Sequence, residues 1–223
     1  MKIKTVFFDF DGVIVDSEKI YKMFWIKAIN LEGFKIDSNQ VLNLRSSDKI
    51  IATKYLHDNI NPSIDLDEYN KIRNLRIKMM NEYLINHHFK LKKGVKEILD
   101  FLYSKNMNCY IVSSSYKDDI LKYLKEFNID KYFKDVLSTK NISRGKPYPD
   151  VYNLASSLVD ASKENILAIE DSPNGIISAK QAGLKTCMIP DLSYPDENLV
   201  KIIDILQLDL IDLMKYLSDN DII

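Results

Sequence analysis

Two aspartates separated by one residue follow the first apolar run of the chain, and they are the residues best placed to do chemistry. The run Val6-Phe7-Phe8 leads directly to Asp9, and Asp11 follows before a turn at Gly12. Aromatic and β-branched residues without an intervening charge are typical of a buried strand. In open α/β sheets, ligands bind just past the carboxyl ends of strands. Two carboxylates at such a point need a cation or a proton to relieve their repulsion, although a solvated Asp-Gly turn is the commoner meaning of this motif alone.

Three further polar motifs each follow an apolar, strand-like segment. These motifs are Ser113-Ser114-Ser115, the loop containing Lys146, and Glu170-Asp171. Each is weak evidence alone, because serine runs, Gly-Lys-Pro turns and Glu-Asp pairs are usually solvated loops. The carboxyl ends of parallel strands share one edge of a sheet, so the four motifs together predict one pocket at that edge.

The segments between the motifs predict the elements that position them. From Gly94 onwards, apolar strand-like runs alternate with runs at helical spacing, which is typical of a parallel sheet with helices on both faces. Ser172 and Pro173 predict a helix start, as N-cap and first helical residue. From Asp37 to about Phe89 no strand-like alternation occurs, and helices are predicted over residues 46–56 and 66–84. The sequence therefore predicts an α/β protein with a separate helical bundle inserted after the first strand.

Composition sets the broad class. The chain has 223 residues, of which 46% are hydrophobic, so it can bury a core as one large domain or as one domain with an insert. A formal net charge of -1 argues against a nucleic-acid binder. Without a run of about 18 apolar residues we expect no membrane span. Without a secretory signal we expect a cytoplasmic protein, an unused glycosylation triplet at Asn141-Ile142-Ser143, and buried free thiols at Cys109 and Cys187.

The four motifs, in this order, resemble those of the haloacid dehalogenase superfamily. The matching segments are Asp9-Phe10-Asp11-Gly12-Val13-Ile14-Val15-Asp16-Ser17, Ser113, Gly145-Lys146-Pro147-Tyr148-Pro149-Asp150, and Glu170-Asp171-Ser172-Pro173-Asn174-Gly175. The resemblance covers essentially the whole chain. It implies a Rossmann-like catalytic core over residues 1–15 and 90–223, with a small α-helical cap over residues 16–89. The cap is similar to that of the subgroup containing β-phosphoglucomutase and sugar-phosphate phosphatases.

The resemblance also implies Mg²⁺-dependent phosphoryl transfer through an aspartyl-phosphate. Asp9 would be the nucleophile, and the Asp11 side chain would be the general acid and base. The implied metal ligands are an Asp9 carboxylate oxygen, the Asp11 backbone carbonyl and Asp171, with Glu170 binding directly or through water. Lys146 would balance the negative charge on Asp9 and the phosphoryl group.

Other residues gain predicted roles from the same resemblance. Ser113 would hydrogen-bond a phosphoryl oxygen, and Ser114 and Ser115 belong to the same predicted phosphate-binding run. Gly12 would let the backbone turn tightly beside the metal. Arg45, which lies in the expected cap loop, is the best cap candidate for contacting the substrate. The other basic cap residues considered are Lys49, Arg73, Arg76 and Lys78, and a solvated helix face is the better interpretation for most of them.

Several functions fit these motifs. Asp11 argues against true dehalogenases and phosphonatases, whose motifs lack or usually lack that second acid. β-Phosphoglucomutases carry a histidine where this chain has Tyr21, and their cap loop differs from Asn43-Leu44-Arg45-Ser46-Ser47. The sequence therefore favours a monomeric phosphatase acting on a small phosphorylated metabolite such as a sugar phosphate. A phosphomutase is the alternative, and an inactive metabolite-binding protein on the same fold is an alternative of another class.

Overall fold

The computed structural model describes residues 2–138 and 142–223, so Asn141 of the predicted glycosylation triplet lies outside the described residues. Within these ranges one six-stranded sheet forms the centre of the molecule, and every neighbouring pair of its strands is parallel. Its strands are β1 (Thr5–Phe8), β2 (Asn108–Ser113), β3 (Phe133–Ser138), β4 (Ile166–Glu170), β5 (Lys185–Met188) and β6 (Ile205–Leu206). Their order across the sheet is β3-β2-β1-β4-β5-β6.

Strand β1 lies between β2 and β4, and this register decides which residues meet at the edge. Phe8, the last residue of β1, is aligned with Ile111 on one side and with Ile169 on the other. The residues that follow these three positions therefore emerge at the same level. The alignment accounts for the convergence of Asp9 and Glu170 at the carboxyl edge of the sheet.

Helices cover both faces of the sheet, as predicted. They are α4 (Val95–Ser104), α5 (Lys117–Glu126), α6 (Asp150–Ser157), α7 (Pro173–Gln181), α8 (Glu197–Val200) and α9 (Leu210–Asp219). Val6 and Phe8 belong to a buried cluster with side chains of α4, α5 and α9, whereas Phe7 packs with Tyr152 of α6 and Ala179 of α7. Because strand side chains alternate between faces, three consecutive apolar residues of β1 serve both layers.

The inserted helices form a cluster of their own. They are α1 (Glu18–Leu31), a 3₁₀ helix (Gln40–Leu44), α2 (Lys49–Asn59) and α3 (Leu66–Leu84). Trp25, Leu56 and Ile72 contribute to a buried core that is separate from the clusters against the sheet. This arrangement supports an inserted helical cap, and the boundaries at residues 16 and 89 stay a prediction.

Local capping accounts for where several helices begin. The Ser172 hydroxyl accepts the Gly175 N–H at 3.2 Å, which confirms the predicted start of α7. The predicted helix over residues 46–56 was wrong at its beginning, because Asp48 caps α2 by accepting the Ile50 N–H at 2.8 Å. The preceding 3₁₀ helix was not predicted. Both cysteines are buried and free, as expected.

Across the described ranges, the structure contains no helix that combines the length and apolar character needed to cross a membrane.

Candidate active site

A buried lysine links the carboxylates of two neighbouring strand ends. Lys146 Nζ lies 3.2 Å from Asp9 Oδ2 and 2.6 Å from Glu170 Oε1, and all three side chains are at most 5% exposed. Burial alone would lower the pKa of the Lys146 ammonium, but the charges of Asp9 and Glu170 outweigh burial and raise it. Lys146 is therefore held as a cation between the two acids. The Tyr152 hydroxyl, from α6, donates a further hydrogen bond to Glu170.

Asp9, Glu170 and Asp171 form a carboxylate cluster, and one oxygen from each lies within 4.8 Å of the others. Burial is the largest cause that raises the pKa of Asp9, and the charge of Glu170 is the next. Burial likewise raises the pKa of Asp171, with the charge of Glu18 second. Among the described residues, the four buried carboxylates Asp9, Glu18, Glu170 and Asp171 form ion pairs or lie in one cluster with two cations, Lys146 and Arg45.

The carboxylate cluster fits a hard divalent cation. Glu170 Oε2 and Asp171 Oδ1 are buried without a hydrogen-bond partner among the described residues, so each has a free lone pair to offer. A donor set composed of oxygens is the type that Mg²⁺, Ca²⁺ and Mn²⁺ prefer. The carboxylates of this cluster outnumber the cations paired with them, which favours the binding of a positive ion. This cluster could therefore bind a metal.

Two glycines make room for these carboxylates. Gly12 has a φ of 80°, and a Cβ there would lie 2.1 Å from Asp171 Oδ2. A Cβ on Gly175, at the start of α7, would lie 2.0 Å from Glu170 Oε2. Distances this short are incompatible with a side chain, so both positions require glycine if the acids are to keep these orientations. The tight turn predicted at Gly12 is confirmed.

Asp11 lies apart from the carboxylate cluster. Its Oδ1 accepts the Ser17 hydroxyl at 2.7 Å, and its Oδ2 accepts the Ser115 hydroxyl at 3.0 Å. Burial, and next the negative charge of Asp11, raise the pKa of the nearby Tyr21 hydroxyl. The hydroxyls of Ser17, at the N-cap of α1, and of Ser115, in the loop after β2, fix the Asp11 carboxyl in one orientation. The Asp11 side chain is therefore held separately from the oxygens that could bind a metal, and its role in proton transfer stays a prediction.

The three serines after β2 have different surroundings. Ser113 is buried, and its hydroxyl accepts the Ser115 N–H at 3.1 Å. Ser114 is exposed. Ser115 contacts Asp11, so it positions a predicted acid–base group. The predicted phosphate contacts of these serines stay predictions.

Arg45 reaches the site from the cap loop, but its donor nitrogens are already engaged. Nε is 2.8 Å from Glu18 Oε2, Nη1 donates to Ser193 Oγ at 2.9 Å, and Nη2 donates to Asp171. Only 8% of the residue is exposed. The structure therefore places Arg45 against a potential metal ligand, and the substrate contact predicted for it stays a prediction.

A second cap residue fastens the loop that carries Lys146. Asp48 Oδ2 accepts the Gly145 N–H at 2.9 Å, and the Asp48 N–H donates to the Lys146 carbonyl at 2.7 Å. The same carboxylate caps α2. Asp48 thus joins the beginning of a cap helix to the backbone on both sides of the Gly145–Lys146 bond.

Sequence reasoning missed several contributors to this site. Glu18 follows the first motif directly, so its position beside the two aspartates was the available signal. Tyr152 gave no signal, because an aromatic residue on the apolar face of a helix is indistinguishable from ordinary core. Asp48 is one of three consecutive candidate N-caps, and sequence alone does not choose among them. Lys49 and Lys78 are exposed, as predicted.

Comparisons with known proteins agree with this geometry. The haloacid dehalogenase-like hydrolase family matches residues 6–189. The phosphorylated carbohydrates phosphatase of Thermotoga maritima is 24% identical over 183 residues, which cover 82% of this chain and 83% of that protein. The pyrophosphatase PpaX of Listeria welshimeri is 27% identical over 188 residues, covering 81% and 80% respectively.

The fold is also shared with solved structures. The β-phosphoglucomutase of Clostridium difficile superposes with a TM-score of 0.78 and 20% identity, covering 97% of this chain and 96% of that one. A likeness at this identity concerns the fold alone. The family match spans most of the chain, from β1 to just beyond β5, and includes every member of the carboxylate cluster. The chain therefore belongs to the haloacid dehalogenase-like hydrolases.

Proposed function

We propose that this hydrolase is a Mg²⁺-dependent phosphatase that cleaves a small phosphorylated metabolite, such as a sugar phosphate, through an aspartyl-phosphate on Asp9. The observation that carries the proposal is the separation of two kinds of carboxylate at one sheet edge. Asp9 belongs to a buried cluster with Lys146, whereas Asp11 is held apart by hydroxyl groups. A nucleophile and an acid–base group need this difference in surroundings.

In the first step, an Asp9 carboxylate oxygen attacks phosphorus, and the bond between phosphorus and the leaving-group oxygen breaks. Asp11, in its protonated form, gives its proton to that oxygen, so that an alcohol leaves. Ser17 and Ser115 hold the Asp11 carboxyl by their hydroxyl groups during this transfer.

In the second step, water attacks the phosphorus of the aspartyl-phosphate, and the bond to Asp9 breaks. Asp11, now ionised, accepts a proton from that water, which returns both acids to their starting states. Lys146, beside Asp9, offsets the negative charge that develops on the transferring group in both steps.

The residues that would hold Mg²⁺ are the three acids of the carboxylate cluster, with the Asp11 backbone carbonyl that the family resemblance implies. The bound ion would supply positive charge to the phosphoryl oxygens and so reduce their repulsion of Asp9. The two unpartnered oxygens on Glu170 and Asp171 support this assignment. The names of the Thermotoga and Listeria relatives support phosphorylated compounds as the substrate class.

A phosphatase assay over sugar phosphates and p-nitrophenyl phosphate, with Mg²⁺ and then with excess EDTA, tests the proposal. We expect Mg²⁺-dependent release of inorganic phosphate, and inhibition by Ca²⁺ because Ca²⁺ favours higher coordination numbers and looser geometry. Undiminished phosphate release in EDTA would contradict the metal assignment. The absence of turnover on every phosphate ester would favour the binding-protein alternative.

A second assay separates the phosphatase from a phosphomutase. β-Glucose 1-phosphate is supplied with catalytic glucose 1,6-bisphosphate, and glucose 6-phosphate and free phosphate are followed together. We expect inorganic phosphate without a need for the bisphosphate, because Tyr21 replaces the histidine of the mutases. Rapid formation of glucose 6-phosphate with little free phosphate would establish the mutase instead.

A further inference from the structure

Arg76, in the middle of α3, is a partly buried cation that has no acidic partner in the described part of the chain. Its Nε is buried and has no hydrogen-bond partner, and it forms no ion pair among the described residues. Its guanidinium carbon lies 5.1 Å from the centre of the Tyr21 ring and 4.9 Å from that of Trp25. Arg76 is therefore one of the basic cap residues to which the interpretation as a solvated helix face does not apply.

These surroundings are unfavourable for a positive charge. Burial lowers the pKa of the Arg76 guanidinium, and the charge of Arg73, one turn earlier on α3, adds to this effect. The faces of Tyr21 and Trp25 offset part of the cost by cation–π interaction, but they do not accept hydrogen bonds from the edge of the guanidinium. Arginines buried to this extent usually pair with an anion.

The position of Arg76 indicates where that anion would come from. Tyr21, against which Arg76 packs, donates its backbone N–H to the Ser17 carbonyl at 2.9 Å, and the Ser17 hydroxyl donates to Asp11 Oδ1 at 2.7 Å. Arg76 and Asp11 therefore lie in the same region, and the charge of Asp11 acts on Arg76. In the proposed mechanism, Asp11 protonates the oxygen of the leaving group. The leaving group therefore begins beside the Asp11 carboxyl, in the region that Tyr21 and Arg76 border.

We propose that Arg76 binds a second anionic group on the substrate, so that the preferred leaving group carries a carboxylate or another phosphate. The guanidinium edge offers N–H donors in a fork that matches two oxygens of either group. Trp25, on which the Arg76 guanidinium packs, is itself stacked on Tyr69 in the cap core, with ring centres 5.9 Å apart. This stacking holds the ring under the guanidinium in place. This inference rests on the proposed phosphatase function and narrows its substrate class.

The alternative is that Arg76 only packs α3 against α1 through the two aromatic rings. Packing of this kind contributes to stability and does not distinguish between substrates. The two roles are therefore separated by a ratio of rates on matched substrates, and not by the activity on one substrate alone.

The test compares 3-phosphoglycerate with glycerol 3-phosphate, which differ by a carboxylate, and fructose 1,6-bisphosphate with fructose 6-phosphate, which differ by a phosphate. For the parent protein we expect kcat/KM to favour the anionic member of at least one pair by about tenfold or more, the effect of one charge-assisted contact. The pair with the larger preference distinguishes a carboxylate from a phosphate. Arg76→Met should abolish this preference, mainly by raising KM.

Lys78→Met is the matched control, because it removes one exposed cation from the same helix. We expect it to keep the preference of the parent. Arg76→Lys, which keeps the charge and loses the fork, should retain only part of the preference. If Arg76→Met does not fold, the parent and Arg76→Lys are compared instead. A smaller preference for the anionic substrate in Arg76→Lys than in the parent supports the inference, and an equal preference contradicts it.

Equal kcat/KM values within both pairs, or a preference that survives in Arg76→Met, would overturn the inference. Turnover of p-nitrophenyl phosphate reports the proposed function separately. If no ester is hydrolysed, calorimetric binding of the same four compounds to the parent protein decides: tighter binding of an anionic member supports the role of Arg76, and equal binding overturns it.

Discussion

The two halves of the active site are built in different ways. At the sheet edge, Lys146 contacts both Asp9 and Glu170, and their positions follow from adjacent parallel strands and the loop that packs on them. On the cap side, Arg76 lies between aromatic rings and has no acidic partner among the residues that the structure describes. The sheet edge therefore has unpaired carboxylate oxygens, whereas the cap has an unpaired cation. We expect the reaction to depend on the sheet edge and the choice of substrate to depend on the cap.

The contacts that join the two halves are few and specific. Asp48 connects the beginning of α2 to the backbone at Gly145 and Lys146, and the Asn174 side chain donates to the Arg45 carbonyl at 3.0 Å. These contacts join the cap to the loop at Gly145 and to the first turn of α7, and none of them involves a strand residue. We therefore expect substitutions at the sheet edge to lower activity on every substrate. Substitutions nearer the cap should lower activity less, or only on some substrates.

The largest effect is expected for Asp9→Asn, because an amide cannot attack phosphorus. Turnover of every phosphate ester should fall by roughly 10⁴-fold or more, measured by phosphate release. The melting temperature without metal should not fall, because the change removes one charge from a cluster with an excess of negative charge. Asp67→Asn, at an exposed position in the first turn of α3, is the control and should keep full activity. Normal turnover in Asp9→Asn would refute the mechanism.

Asp11→Asn should have a large effect that depends on the leaving group. For alkyl phosphates such as glycerol 3-phosphate, whose alkoxide leaves poorly without a proton, we expect a loss of about 10²- to 10⁴-fold. For p-nitrophenyl phosphate, whose phenolate leaves without much help, the loss of kcat should be far smaller. Equal losses on both substrates would show that Asp11 does not act as the acid.

Gly12→Ala should disturb the carboxylates at the sheet edge and leave the cap helices unchanged. The new Cβ would displace the Asp171 carboxylate, and a misplacement of about 1 Å in an active site costs roughly 10²-fold in rate. Gly33→Ala is the matched control, because Gly33 has a φ of 86° with nothing within 4 Å of the added Cβ. Both variants should lose about 1 kcal/mol of unfolding free energy from backbone strain, and only Gly12→Ala should lose activity. Equal activities in the two variants would show that the space which Gly12 leaves for the Asp171 carboxylate is not needed for activity.

The smallest effect is expected where the halves join. Asp48→Ala removes a helix cap and the contact with Gly145, whereas Asp65→Ala removes only a cap, in which Asp65 accepts the Glu68 N–H at 2.9 Å. Each should cost about 1 kcal/mol in chemical denaturation. Only Asp48→Ala should lower kcat/KM, by about tenfold, because the loop carrying Lys146 loses its support. A similar decline of kcat/KM in both variants would mean that the contact between Asp48 and the Gly145 N–H does not contribute to catalysis.

The two halves also differ in how far sequence could predict them. Asp9 and Glu170 follow apolar runs, and parallel pairing brings such strand ends to one edge, so their convergence could be predicted. The contacts of Arg45 and Asp48 depend on how a loop docks against another part of the chain, which periodicity does not encode. The position of Arg76 along α3 does not distinguish it from the solvated residues of that helix. Its burial becomes visible only from the Tyr21 and Trp25 rings that pack against it.

The central position of β1 has a consequence for folding. Phe8 pairs with Ile111 and Ile169, which lie about 100 and about 160 residues further along the chain. Closing loops of this length is slow relative to forming local helices, so the inserted helices can form before Asp9 acquires its neighbours. We therefore expect the carboxylate cluster to assemble late, once β4 has paired with β1, and phosphatase activity to appear only after that step.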